Sequence, residues 1–518
     1  MIGKLESGIT LTVEVPQSYA ANMQAGAIDR AGSSAVCHKM TLDCVEKPIC
    51  VDLDGTLIKT DLLLESALSL FRRKPYLMCL MPGWLLRGRA YLKRELAKRV
   101  FLDIKTLPYN VEFLNCLRSE HEKGRKIVLT TAADGLIAAE VAEHCGVFAE
   151  VIASDGRRNV SGKVKRDELV QRFGEKGFVY AGNASVDLPI WEQAAGGIVV
   201  NGTTRLAAMA GKRTHLLQVF SSPGGRLRAM AKALRLHQWV KNLLVFIPLV
   251  AAHRLSDGAR AMDAILAFCS FCCGASGMYV LNDLLDLGAD RVHPVKRFRP
   301  FASGDLSLSA GLMLVPILLA GSLAFAWFLN GKFLSILGLY LALTVLYSMA
   351  LKRIVLVDVL CLAGLYTIRV FAGGLATGTP VSNWLLAFSG FFFLSLALAK
   401  RASEVVDLKL ASRGDPEGRS YLLSDLEQIS SMGAGSGYIS VLVLVLYINS
   451  PEVSAFYLHP ERLWFVCPLI FYWISRIWLL THRGLVHEDP VVFALKDKAS
   501  YAVGLVVCLI VLWATGMR

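Results

Sequence analysis

Charge is scarce in this chain. Only 19% of residues are charged against 54% hydrophobic, respectively below and above the shares usual for a soluble domain. That excludes an ordinary soluble protein over the whole length. The shortage is uneven: up to about Arg235 the chain reads as soluble, and beyond it long apolar runs dominate. With 518 residues, two or more domains are expected. The twelve cysteines are scattered and lack the spacing of a disulfide framework or a zinc site. Cys269, Cys272 and Cys273 lie inside an apolar run, where free buried thiols are expected. The chain does not open with the basic start and apolar core of a signal peptide. Residues 1–43 are therefore expected to be a poorly ordered extension, with the amino-terminal half in the cytoplasm. The net charge of +13 comes without a basic face interleaved with aromatics, so no nucleic-acid partner is expected. Cytoplasmic Lys and Arg of a membrane protein account for it.

Over residues 44–204 short β-branched runs alternate with amphipathic stretches, which predicts an α/β domain with a mostly parallel sheet. Ile49–Leu53, Lys126–Leu129 and Gly177–Ala181 read as buried strands, each followed by residues able to open a loop over the sheet's carboxyl edge. The insert at 62–108 reads as helices. Its Arg72, Arg73, Lys74, Trp84, Arg87, Arg89, Tyr91, Lys93 and Arg94 suit either a solvated cap face or contact with lipid head groups. A linker is expected over 205–232, with Ser221 to Gly225 as its signal.

Residues 233–518 hold about nine candidate transmembrane helices, centred near Phe246, Phe268, Leu318, Leu339, Leu365, Phe391, Leu442, Phe471 and Val507. The first is the shortest. With the amino terminus inside, Arg291, Lys296, Arg297, Arg299, Lys352, Arg353, Lys400, Arg401, Lys409, Arg413, Arg419, Arg483, Lys496 and Lys498 fall on one side. Only Arg254, Arg260, Lys332 and Arg462 fall on the other. This positive-inside bias predicts a multi-pass inner-membrane protein whose soluble domain and charged loops share the cytoplasmic face.

Two carboxylates, Asp52 and Asp54, stand two positions apart at the end of a predicted strand, so both face one site. Such a pair divides phosphoryl transfer between attack on phosphorus and proton exchange with the leaving oxygen. Val51 to Thr56 resembles the first motif of the haloacid dehalogenase superfamily. Leu129 to Ala132 resembles the second, which implies that Thr131 contacts phosphate. Gly162 to Lys165 resembles the third, implying Lys165, or Lys163 in its place, as the neutralising cation. Gly182 to Asp187 resembles the fourth. The resemblance implies a Rossmann-like domain with a helical cap, with Asp52, Asp54, Asn183 and Asp187 around Mg²⁺. Asn183 replaces the usual first acid, and its amide oxygen suits a hard cation. A working phosphatase and a vestigial or regulatory domain both remain open.

In the membrane half, Asp283, Asp286 and Asp290 are spaced by three and four, so they share one face if the helix continues. Three such carboxylates at a membrane boundary are costly unless a divalent cation bridges them to a diphosphate. His293, Lys296 and Arg299 follow at once, as a leaving diphosphate needs. The segment from Asn282 resembles the first motif of the UbiA-type intramembrane prenyltransferases, which implies Mg²⁺-activated transfer from a diphosphate. The second acidic cluster of that family is absent. In its place stand Tyr347, Lys352, Asp358 and Arg369. With Lys241, Asn282, Lys400, Arg401 and Glu404 this resembles the branch that transfers phosphoribosyl from phosphoribosyl diphosphate to a polyprenyl phosphate. Two anionic substrates call for more cations and fewer acids.

Arg369 and Arg476 within apolar runs are expected either to pair structurally, with Asp358 or a helix end, or to contact a phosphate. Arg419, Asp489 and Asp497 are weaker candidates. Prenyl transfer to an aromatic acceptor, and a transporter or scaffold, are the rival readings. Tethering alone is expected to bring the soluble domain to the lipid product.

Overall fold

The computed structural model describes residues 46–221, 225–410, 421–450, 457–486 and 489–516. The expected extension at 1–43, Ser222 to Gly224 of the linker signal, Arg413 and Arg419 lie outside them.

Six parallel strands form the soluble half: β1 (Ile49–Val51), β2 (Ile127–Asp134), β3 (Glu150–Ser154), β4 (Val179–Gly182), β5 (Gly196–Val200) and β6 (His215–Phe220). Their order is β3-β2-β1-β4-β5-β6. The central strands β1, β2, β4 and β5 are buried on both faces, as their apolar runs require. Strand order reverses between β1 and β4, so the crevice for a ligand lies beyond their carboxyl ends. The insert after β1 folds as a helical cap, including α1 (Leu62–Arg73) and α2 (Arg89–Ala97). The soluble half thus has the expected Rossmann-like parallel sheet with a helical cap.

The expected linker at 205–232 is corrected. Thr204–Gly211 is a helix, β6 pairs in parallel with β5, and Arg226–Leu234 is helical. An edge strand with one half-polar face reads weakly in sequence, because only alternate residues need be apolar.

Among the described residues eight helices are long and apolar enough to cross a membrane, the first being α3 (Gly258–Leu285). They match eight of the nine expected centres. The ninth, around Phe246, is not a continuous α-helix: Leu236–Phe246 is 3₁₀ and Ile247–Ala251 a short helix. Pro248 has no N–H for the carbonyl of Leu244, which instead accepts from Ile247. Spans pack through small residues and interhelical hydrogen bonds: Ser270 Oγ donates to the Ser322 carbonyl and Ser322 Oγ to that of Ser270, both at 2.8 Å. All ten cysteines among the described residues are free.

The two halves are docked, not merely tethered. Leu64 and Leu68 of α1 pack with Val280, Leu284, Phe301 and Leu308 of the membrane half. Gly304 (φ +76°) lies so close to Lys59 that an added Cβ would sit 2.4 Å from the lysine Cβ.

Candidate functional site

Asp52 follows β1 directly, and Lys165 Nζ reaches its Oδ1 at 2.6 Å. The same ammonium lies 3.2 Å from Tyr180 Oη, whose hydroxyl donates to Asp187 Oδ1 at 3.0 Å. Thr131 is fully buried, its hydroxyl accepting the Ala133 N–H. Lys163 is exposed, so Lys165 is the cation that faces the site. Asp54 Oδ1 accepts the Leu62 N–H at 2.9 Å. Burial, with Asp61 adding to it, pushes its carboxyl up to about 7. Gly55 (φ +76°) has the Asn183 side-chain nitrogen 2.0 Å from where a Cβ would sit, so only glycine lets that amide approach.

Asp187 departs from its expected place among the metal ligands. Its Oδ2 accepts the N–H groups of Asn183 and Ala184, and its Oδ1 the Tyr180 hydroxyl. It therefore shapes the loop that carries Asn183. Burial, with Asp52 nearby, raises it to about 6. The remaining side-chain oxygens of Asp52 and Asn183 suit a hard cation that completes its shell with water and substrate, whereas the buried Asp54 carboxyl, pushed up by burial, suits a proton in place of the expected ion.

Several cap residues read as an outer face point elsewhere. Trp84 is buried. Lys93, its ammonium pushed down by burial, donates to the Ala132 carbonyl at 2.6 Å and lines a small cavity with Asp54 and Asp134. Arg94 pairs with Asp134 at 2.8 Å. That cavity measures about 20 Å³, room for roughly one water and too small for a phosphate monoester.

The second site is a cavity of about 660 Å³ between the ends of the membrane helices and the cap. Lys241, Asn282, His293, Lys296, Arg299, Tyr347, Lys352, Asp358, Arg369, Lys400, Arg401 and Glu404 all line it, together with Asp286 and Asp290. Ten Lys and Arg side chains there face five carboxylates, so the walls favour anions.

The aspartate stripe breaks once, at Asp286, which ends α3 and begins α4 (Leu287–Val292). Each carboxylate already has cationic partners. Asp283 pairs with Arg235 at 2.5 Å and Arg299 at 3.2 Å. Arg299 also holds Asp290 at 2.7 Å, and Lys352 holds Asp286 at 3.1 Å. Asp283 is turned off the cavity wall. No group of three His, Cys, Asp or Glu is arranged to hold an ion among the described residues. Mg²⁺ commonly takes one or two carboxylates and fills its shell with waters and substrate phosphates, so Asp286 and Asp290 fit that ion while Asp283 orients Arg235 and Arg299.

Arg369 does not pair with Asp358. It donates to Asn242 Oδ1 and Tyr340 Oη, both at 2.8 Å. Asp358 instead binds Arg401 at 2.6 Å and the Tyr421 hydroxyl at 2.7 Å. Arg401 continues to Tyr347 Oη and Glu404, both at 2.8 Å. Arg476 lies away from the cavity, forked onto Asp497 at 2.7 and 3.0 Å. Asp489 does reach the cavity. Although burial opposes its ionisation, Lys241 at 2.7 Å and Lys400 at 3.7 Å hold its carboxyl at about 2. Arg72, Arg235 and Tyr366 line the same cavity and were not singled out for it from sequence. Tyr366 stands three positions before Arg369 and Arg235 six before Lys241, so both lie within reach of a predicted site residue.

The model of the UbiA prenyltransferase family matches residues 243–414. The uncharacterized protein y4nM of Sinorhizobium fredii is 37% identical over 473 residues, covering 90% of this chain and 91% of that protein. The decaprenyl-phosphate phosphoribosyltransferase of Mycolicibacterium smegmatis is 35% identical over 208 residues, covering 39% of this chain and 64% of that enzyme. A solved structure of a UbiA homolog from Archaeoglobus fulgidus, bound to DMAPP and Mg²⁺, aligns with a TM-score of 0.43 and 18% identity. It covers 55% of this chain and 96% of that one.

Proposed function

We propose that this chain, whose residues 243–414 match the UbiA prenyltransferase family, moves phosphoribosyl from phosphoribosyl diphosphate to a polyprenyl phosphate. The soluble half then removes the 5-phosphate. The observation that carries this reading is an anion-favouring cavity that gathers all twelve residues expected to contact substrate. A prenyl donor with a neutral aromatic acceptor brings one anionic group; this cavity has cations for two.

His293, Lys296 and Arg299 lie beside Asp286 and Asp290 and suit the donor's diphosphate. Arg401, paired with Asp358, and Lys400, near Asp489, suit the lipid phosphate. The C1–oxygen bond to diphosphate breaks as C1 takes on oxocarbenium character. A lipid-phosphate oxygen then bonds to C1, and diphosphate leaves. Mg²⁺ held by Asp286 and Asp290 would supply charge neutralisation to the departing group. The cations hold both reacting anions in place against their mutual repulsion.

In the soluble site Asp52 is placed to attack the 5-phosphorus, with Lys165 neutralising the phosphate and Asp54 protonating the sugar oxygen. Water then releases phosphate from Asp52. We place the protein in the inner membrane with both sites on the cytoplasmic face.

Purified protein given phosphoribosyl diphosphate, a polyprenyl phosphate and Mg²⁺ should yield a lipid-linked ribose by mass spectrometry. Product only from a prenyl diphosphate and an aromatic acceptor overturns the reading.

A further inference from the structure

Helix α1 starts at one candidate centre and ends at the other. At its first residue the Leu62 N–H donates to Asp54 Oδ1. Ten residues later, about 15 Å along the axis, Arg72 reaches into the membrane half. Its Nη1 donates to the Leu285 carbonyl at 3.0 Å, and its Nη2 lies 3.1 Å from Asp286 Oδ1. The guanidinium forms part of the wall of the large cavity. Asp286 is thus bracketed by Arg72 from the soluble half and Lys352 from the membrane half, each at 3.1 Å.

The placement of Arg72 is fixed by more than its own contacts. Leu64 and Leu68 seat α1 on the membrane half. Glu65 forms a buried ion pair with Arg291, and Lys59 abuts Gly304. The side chain retains 32% exposure, so it borders the cavity space and is not sealed in the seam. One cation would be enough to balance Asp286. Two cations on one carboxylate leave capacity for a second anion, and a guanidinium fork matches phosphate oxygens in two parallel hydrogen bonds.

We propose that Arg72 is a diphosphate-binding residue of the membrane site supplied by the soluble half, so that this site is complete only when the α/β domain is docked. The identity of the donor rests on the transferase reading above; binding of a bare diphosphate does not.

The test is titration of inorganic diphosphate with Mg²⁺ into the full chain in detergent, followed calorimetrically. R72Q should weaken binding about tenfold or more, and R72K, which keeps the charge and loses the fork, by a smaller factor. Arg73→Gln, exposed on the neighbouring position, should bind as wild type. With active protein, R72Q should raise the KM for donor more than it lowers kcat. Wild-type affinity in R72Q with an unchanged melting temperature overturns the proposal, as does a wild-type chain that binds no diphosphate. Where R72Q fails to fold, R72K decides, and wild-type affinity in it overturns the proposal. Wild-type binding weakened by R72Q, but with no lipid-linked ribose formed, leaves this inference standing and removes the transferase reading alone.

Discussion

Glu65 and Arg291 form a buried ion pair across the seam between the soluble and membrane halves, with Arg291 Nη2 donating to Glu65 Oε2 at 3.0 Å. Their side chains retain only 7% and 4% exposure. Removing one partner strands a charge out of water, at a cost of about 3–5 kcal/mol, whereas apolar replacement of both is far milder. Glu65→Leu or Arg291→Met alone should therefore loosen the seam and speed amide exchange across Leu62–Arg73. The double variant should recover much of the protection. Hydrogen-exchange mass spectrometry checks this, and equal exchange in wild type and both single variants would contradict it.

The soluble site has a pH signature. Asp54 is raised to about 7 by burial, reinforced by Asp61 and opposed by the Leu62 N–H. As the proton donor to the leaving oxygen it is competent while protonated, so the proton is present below about pH 7 and lost above it. Hydrolysis of a small phosphate monoester should show a falling limb near pH 7. Asp54→Asn should lose that limb and slow the reaction by about 10²–10⁴-fold. A flat wild-type profile from pH 6 to 8 sinks the assignment.

Asp286 tests the metal reading in the other cavity. Asp286→Asn keeps the shape and removes one charge from the pair fitted to Mg²⁺. Transfer should fall by about 10²-fold or more if the ion supplies several kcal/mol to the transition state. The rate should not return at saturating Mg²⁺ and donor; a wild-type rate there would rule out Asp286 as a ligand.

What the sequence revealed follows from the range of the interactions. Asp52 and Asp54 share a strand end, and Asp286 and Asp290 share a helical stripe, so local spacing exposes them. Eight membrane spans are legible because each is a continuous apolar run. Around Phe246 the apolar run is shorter and holds Lys241 and Asn242, and Pro248 interrupts the hydrogen-bond ladder, so the span is broken. Arg72 was visible as a cap cation, but its partner Asp286 lies 214 positions away by residue number, and no local period encodes that contact. Asp187 kept the family's spacing while its oxygens were taken by Tyr180, Asn183 and Ala184, a choice made by burial.

Asp52 decides whether the two halves work in sequence. The proposed transfer leaves a 5-phosphate on a lipid-linked ribose beside a domain that presents Asp52, Lys165 and Asp54 at one strand edge. Docking through α1 holds that domain over the membrane cavity, so the monoester does not depend on a flexible tether to reach it. The cavity beside Asp54 is small, which predicts slow turnover on bulky soluble esters. Asp52→Asn removes the nucleophile, weakens the pairing with Lys165, and leaves every residue of the membrane cavity in place. The variant should still form the lipid-linked sugar, now accumulating with its 5-phosphate. Wild type should release one phosphate for each ribose retained. Mass spectrometry of the lipid fraction with a phosphate assay measures both, and an identical product ratio in the two proteins would leave the soluble half with a regulatory or vestigial role.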